Sequence, residues 1–191
     1  MLFTAATVAI LLAGLMYGIV IYNLLVSLKN NVSKNWANID VLLKQRYSEL
    51  PKLIESCKTY MQFESSTLEA IVNARSAALS AIQSHNLPAL SLAEVDLKTG
   101  LSKLFALVEN YPNLKTNQSF LMLQTRITDL ETEIADRREF YNESANRNNI
   151  RIQQFPDVII ARLLGFKAFD LLKFSPTELE DVGIEKHFKN S

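Results

Sequence analysis

The alternation of apolar and polar positions changes character once along the chain. From Phe3 to Val26 the sequence is almost wholly apolar, FTAATVAILLAGLMYGIVIYNLLV, and no Asp, Glu, Lys or Arg occurs before Lys29. A helix of that length reaches roughly 36 Å, enough to cross a hydrocarbon core of about 30 Å with some tilt. A cleaved secretory signal is the competing reading. It calls for a positive leading segment, a shorter apolar run and a small-residue cleavage site. Here the run continues into bulky Tyr17, Ile19, Ile21 and Tyr22, so residues 1–28 read as an uncleaved anchor. Beyond it, apolar residues recur at Leu25, Leu28, Val32, Trp36, Ile39, Leu43, Tyr47, Leu50, Ile54, Cys57 and Met61, the spacing of an α-helix stripe. The membrane helix is therefore expected to run into the soluble part. Pro51, lacking a donor, is expected to kink or divide it near residues 47–50.

Three more helices follow from the same pattern. Ser66-Thr-Leu-Glu69 has the form of a capping box, with Leu68, Ile71, Val72, Ala78, Leu79 and Ile82 inward and His85-Asn-Leu-Pro88 as the stop. Ser91-Leu-Ala-Glu94 has the same form and opens a third helix to about Asn110, with Leu97, Leu101, Leu104, Phe105 and Val108 inward and Gly100 inside the pattern. Tyr111-Pro-Asn-Leu114 reads as a turn. The fourth and longest helix is expected over about Thr116 to Gln154. One heptad position takes Phe120, Ile127, Ile134, Tyr141, Asn148 and Phe155, the other Leu123, Leu130, Arg137 and Ser144, so the seam turns polar towards its end. The predicted fold is all-α: an N-terminal transmembrane helix continuing into an antiparallel up-down-up-down four-helix bundle with long, coiled-coil-like helices. The expected divisions are an anchor over 1–28, a helical bundle over 29–155, an amphipathic segment over 156–174 and a polar tail over 175–191.

Composition narrows the function. The 191 residues carry 20 Lys+Arg and 20 Asp+Glu, which excludes a broadly basic nucleic-acid binder. Five Gly and five Pro are too few for a turn-rich β-sandwich. One cysteine, Cys57, excludes a disulfide framework, and its place on the apolar stripe makes it a core residue rather than a reactive thiol. His85 and His187 have no metal-ligand spacing, and no phosphate loop or nucleophile elbow is present, so no catalytic residue, metal or cofactor is expected. The carboxylates Asp129, Glu131, Glu133, Asp136 and Glu139 read as a solvated face with Arg126, Arg137 and Arg138 as partners. Positive flanks orient the span. Lys29, Lys34, Lys44 and Arg46 follow it and none precedes it, which predicts a cytoplasmic soluble domain and a very short N-terminus outside.

Four groups of residues stand out: Tyr22-Asn-Leu-Leu-Val-Ser-Leu-Lys-Asn30, then Trp36-Ala-Asn-Ile-Asp-Val-Leu-Leu-Lys-Gln-Arg-Tyr47 and Leu50-Pro-Lys-Leu53, then Glu109-Asn-Tyr-Pro-Asn-Leu-Lys115 with Asn117 and Phe120. Arg137-Arg-Glu-Phe-Tyr-Asn142 with Asn149, Phe155 and Pro156 completes the set, and in this order the blocks resemble the LemA family. Ala145 and Asn148 depart, standing where the family usually has Val and Tyr. The resemblance implies a bacterial inner-membrane protein with one N-terminal span, an all-helical soluble domain and no established enzymatic activity. It also implies an integral-membrane zinc metalloprotease of the HtpX type as a partner in envelope stress, and relatives in magnetosome formation.

The functional expectation is a non-enzymatic, membrane-anchored scaffold or adaptor that self-associates as a homo-oligomer and docks an envelope partner in the lipid bilayer. The alternatives are a membrane-shaping or signalling helical protein, or an enzyme whose site carries no recognised motif. The residues singled out for interaction or structure begin with Gly14 and Gly18, whose spacing suits either a close helix contact or an ordinary membrane helix. Trp36, Arg46, Tyr141 and Asn142 lie in the resemblance blocks. Asp40 is expected to pair with Arg137 or Arg138 near the seam. Phe166 and Phe169 lie in the amphipathic segment, expected either on the membrane surface or a neighbouring subunit, or as a fifth element on its own bundle.

Overall fold

The computed structural model describes residues 1–61 and 63–174. The expected polar tail, 175–191, lies outside them, and so does His187. The described residues are helical with no strand: α1 Leu2–Lys58, α2 Ser65–Gln83, α3 Leu87–Val108, α4 Pro112–Lys115, α5 Gln118–Arg151 and α6 Asp157–Leu163. Contacts divide the chain into two compact units. Among the described residues the smaller comprises Met1–Asn38 and Arg137–Leu171, the larger Ile39–Asp136 with 172–174. The helices α1 and α5 thus contribute to both.

In the larger unit the 3.6-residue stripe is buried as its spacing predicts. Ile39, Leu43, Tyr47, Leu50, Leu53, Cys57 and Met61 are buried along α1 and beyond its end, and Phe120, Ile127, Leu130 and Ile134 along α5. The expected division at Pro51 does not occur, and α1 runs unbroken through it to Lys58. Proline removes the hydrogen bond its N–H would have given to the carbonyl four residues back. That carbonyl belongs to Tyr47, and it accepts instead from Arg75 Nε of α2 at 2.7 Å. The orphaned acceptor is thereby satisfied, and the helix continues.

The two capping boxes are not formed as expected. The helix α2 is capped at Glu64 with no side-chain hydrogen bond, so Ser66 and Glu69 lie within it. The helix α3 begins at Leu87, capped by Asn86, whose side chain accepts from the Ala89 N–H, with Pro88 in its first turn. Proline is tolerated there because its missing N–H has no helical partner to lose. Thus Pro88 belongs to a helix start rather than a stop, and Ser91 and Glu94 are buried residues inside α3. The turn at Pro112 is a short helix, α4, and Asn117 caps α5 by accepting from the Phe120 N–H at 3.0 Å.

The buried face of α2 is richer in alanine than the pattern indicates: Leu68, Ile71, Ala74, Ala78 and Ala81, while Val72 is exposed. Gly100 of α3 lies against it. A Cβ there would sit 3.0 Å from Ile71 Cγ1, so the glycine lets the two helices approach closely.

Candidate functional site

The smaller unit contains the apolar half of α1. Its side chains are largely exposed, Leu11 to 73% and Met16 to 70%, and the helix is long and apolar enough to cross a membrane. Exposure of such a run in water is costly, and a bilayer removes that cost. Near the end of the run, Ile21 and Leu25 form a small buried cluster with Ala161 of α6, flanked by Ile152, Ile160 and Phe166. A Cβ on Gly18 would meet Ile160 Cδ1 at 3.8 Å, whereas Gly14 faces open space. The helix α6 therefore lies against the last turns of the apolar run. The other side of this region leaves Phe155, Ile159, Leu163 and Leu164 exposed, Phe155 and Leu163 each to 81%.

The amphipathic segment is a helix only over Asp157–Leu163. It ends at Gly165, whose φ of +70° is the left-handed conformation that glycine adopts without a Cβ clash, and Phe166 N–H closes the end on Ala161 O at 2.9 Å. Asp157 is buried and paired with Arg151, which ties the start of α6 to the end of α5. From Gly165 the chain runs without regular structure, so its backbone groups need partners from side chains. Asn149 supplies two: its Nδ2 donates to Phe169 O and its Oδ1 accepts from Phe169 N–H, both at 2.8 Å. Asn148 Nδ2 donates to Lys167 O at 3.2 Å, and Tyr141 Oη donates to Asp170 O at 3.0 Å. Burial, then the Asp170 charge, pushes the Tyr141 hydroxyl up to about 12, so it remains a donor. The segment borders a groove of about 620 Å³ whose walls include Tyr22, Lys29, Asn30, Phe166, Lys167 and Phe169.

The residues singled out from the sequence fall in different places. Trp36 stacks edge-on against Tyr141, with ring centroids 5.9 Å apart, and Phe166 does the same against Tyr22 at 6.2 Å. Phe169 is held through its backbone. Arg137 is exposed, with its guanidinium 6.0 Å from the Phe140 ring centre, and Arg138 and Asn142 are half-buried. Asp40 Oδ2 accepts from Lys44 Nζ one turn on, at 2.6 Å.

Arg46 is the centre of a buried charged cluster in the larger unit. Its side chain, 4% exposed on α1, pairs with Glu94 of α3, 2% exposed, and its other terminal nitrogen lies 3.8 Å from Glu131 of α5. Tyr47 Oη donates to the second Glu94 oxygen. Burial alone would lower the Arg46 pKa. The Glu94 carboxylate, helped by Tyr47 and Glu131, outweighs that and holds it above its ordinary value. Burial, then Glu94, pushes Tyr47 well up, so its proton stays on the hydroxyl. Both Glu94 oxygens are thus engaged by fixed donors, an arrangement suited to locking three helices in register rather than moving a proton. Cys57 is buried, and burial pushes its thiol up to about 11. Among the described residues no group of three His, Cys, Asp or Glu side chains is placed to hold a metal ion.

Two features here were missed from sequence. Glu94 looked like a capping residue, because a Ser three positions before a Glu fits that pattern locally. Asn148 looked only like a departure from the family, yet it is 1% exposed and holds the chain after α6.

Among the described residues these features define an all-helical protein with one membrane-length apolar helix, a buried ion-paired core and a segment after α6 docked on the end of the apolar run. The chain belongs to the LemA family, which matches residues 35–185. Over 88 residues it is 33% identical to magnetosome protein MamQ 2 of Paramagnetospirillum magneticum, covering 46% of this chain and 32% of that protein. It is 32% identical, over the same shares, to magnetosome protein MamQ of Magnetospirillum gryphiswaldense. The chain thus spans about a third of the length of these magnetosome relatives. Protein LemA of Metamycoplasma hominis is 26% identical over 161 residues, 82% of this chain and 70% of that one.

Proposed function

We propose that this protein is a non-enzymatic, single-pass membrane scaffold or adaptor whose helical domain is held at the bilayer by α1 and whose α6 rests in the interface. The observation that carries this reading is the packing of α6 on Gly18, Ile21 and Leu25. It brings the exposed Phe155, Ile159, Leu163 and Leu164 level with the end of the apolar run. Residues at that level of a spanning helix meet the acyl–headgroup boundary, where apolar side chains are stable and nearby cations reach phosphate. The soluble part reads as an antiparallel four-helix bundle. Support comes from the larger unit, where Asn117 meets Tyr60 and Arg126 meets Gln45, so residue numbers rise along α1 as they fall along α5.

The proposed location is the bacterial inner membrane, with the domain in the cytoplasm and the short N-terminus outside, on the strength of the positive flank from Lys29 to Arg46. The proposed partners are the lipid bilayer, further copies of the chain and an integral-membrane metalloprotease of the HtpX type, with no nucleic acid. Crosslinking in native membranes tests the adaptor role. Recovery of a membrane metalloprotease supports it, and self-crosslinks alone favour a scaffold or a membrane-shaping protein, the second reading that the exposed α6 residues favour. A cysteine introduced at exposed Ser119 in a Cys57→Ala background should resist an impermeant thiol reagent in intact cells. Ready labelling would reverse the orientation.

A further inference from the structure

The groove beside the segment after α6 has an unusual lining for a helical protein of zero net charge. Lys29 and Lys167 are exposed on it, Asn30 offers an amide, Tyr22 and Phe166 meet edge-on at its wall, and among the described residues no carboxylate lines it. We propose that it binds the headgroup of an anionic phospholipid drawn from the membrane that α1 spans. The proposal rests on the anchored reading above and adds a ligand to it.

Three observations lead there. The first is height. Tyr22 lies near the end of the apolar run, and Lys29 is the first charged side chain after it. Seven helical residues rise about 10 Å, and the headgroup layer is roughly 5–8 Å thick on each side, so a lysine side chain reaching back lies at phosphate level. The second is charge: two cations with no carboxylate among the described residues of the same wall favour an anion, and an anionic leaflet is the nearest source. The third is preorganisation. Lys167 stands on backbone fixed by Asn148, and the chain two residues on is fixed by Asn149 on Phe169, so the backbone that carries this lysine is set before any ligand arrives. A cavity of about 620 Å³ exceeds what a bare phosphate fills and leaves room for a glycerol-linked headgroup, with the aromatic pair against its apolar part.

The experiment uses the full chain in nanodiscs of phosphatidylcholine mixed with phosphatidylglycerol, with retained lipids counted by native mass spectrometry. Phosphatidylglycerol should be enriched roughly tenfold over its share of the bilayer, two lysines at an anionic surface being enough for this. Lys29→Gln with Lys167→Gln should abolish the enrichment, while Arg162→Gln, an exposed cation on α6 outside the groove, should keep it. Circular dichroism melts of each variant confirm an intact fold, and Lys167→Gln alone should give an intermediate enrichment if the pair is unstable. No enrichment in the wild type, or enrichment that survives the double substitution, overturns the proposal. Protection of Lys29 and Lys167 from acylation by millimolar inorganic phosphate, equal to that by phosphatidylglycerol, would make the groove a free-phosphate site and overturn the lipid source. A chain that fails to stay in pure phosphatidylcholine nanodiscs sinks the anchored reading itself. One that stays there without selecting phosphatidylglycerol sinks only the headgroup site.

Discussion

The larger and the smaller unit bury polar groups for different reasons. In the larger unit, regular helices satisfy most of their own backbones, and beside the neutral Thr67 and Ser91 the buried polar side chains include a charged set: Arg46 on α1, Glu94 on α3 and, at the margin, Glu131 on α5. The smaller unit buries one ion-paired carboxylate, Asp157 with Arg151, but its other buried or half-buried polar side chains include the neutral Tyr141, Asn148 and Asn149, which serve the carbonyls and N–H of chain 167–170. Charge is costly to bury, and its return is register, because a misplaced helix strands an ion in an apolar interior. Amides are cheaper to bury and suit a segment with neither helix nor strand to pair with, since each supplies a donor and an acceptor. The larger unit thus fixes how its helices align, and the smaller unit fixes one irregular stretch of backbone.

Removing the charge partner in the larger unit should have the largest effect. Glu94→Ala leaves Arg46 buried and only distantly faced by Glu131, and should cost about 3–5 kcal/mol in chemical or thermal unfolding of the full chain in detergent. Replacing Arg46, Glu94 and Tyr47 together by Met, Leu and Phe should recover most of that loss. A single Glu94→Ala within about 1 kcal/mol of wild type would mean that water reaches the cluster and that the contrast between the units is false.

A smaller and local effect is expected in the other unit. Asn149→Ala removes both bonds to Phe169 and should cost about 1–3 kcal/mol of local stability. Amide hydrogen exchange should quicken over residues 166–170 while α2 and α3 keep wild-type protection. Equal loss of protection in both would show that the segment after α6 supports the whole protein.

These two sites also show what a sequence discloses. The stripe from Ile39 to Met61 was legible because burying one face of a helix imposes a period that local reading detects. The partner of Arg46 was not, since Glu94 is 48 residues away and its local pattern matched a helix start that Asn86 in fact provides. Pro88 misled for the same reason: a proline reads equally as the stop of one helix and the first turn of the next. The continuity of α1 through Pro51 depends on Arg75, 28 residues from the carbonyl it satisfies. The alanine face of α2 was half-hidden because Ala carries little hydrophobic signal, although Ala74, Ala78 and Ala81 keep the helical period. Asn149 stood within the family blocks, and its task of holding a backbone 20 residues on appears only when the chain has turned back.

Tyr141 supplies a test that depends on pH. Tyr141→Phe removes the bond to Asp170 O and should cost about 1 kcal/mol at neutral pH. The folded protein holds the phenol proton up to about pH 12, against about 10 for a free tyrosine. This contribution is therefore complete below pH 10 and is lost as the pH rises towards 12. The phenylalanine variant should show a shallower fall over that range. A fall of unchanged slope would assign the alkaline loss to other groups.

The smallest expected effects come from one backbone device used in both units with opposite residue choices. The helix α6 ends with Gly165 at φ +70° and a Phe166 N–H to Ala161 O bond, and α2 ends with His85 at φ +54° and an Asn86 N–H to Ala81 O bond at 2.9 Å. A side chain in this left-handed region crowds the following carbonyl, at a cost of about 1 kcal/mol for an ordinary residue. Gly165→Ala should therefore destabilise the smaller unit by about 1 kcal/mol, although nothing lies within 4 Å of the added methyl group. His85→Gly should stabilise the larger unit by a few tenths of a kcal/mol up to about 1, the relief being offset by glycine's greater freedom in the unfolded chain. The pair separates strain from packing, because neither change adds or removes a core contact. If Gly165→Ala proved neutral while His85→Gly stabilised, the end of α6 would be loose enough to relax, and the amide bonds from Asn148 and Asn149 alone would be fixing the segment beyond it.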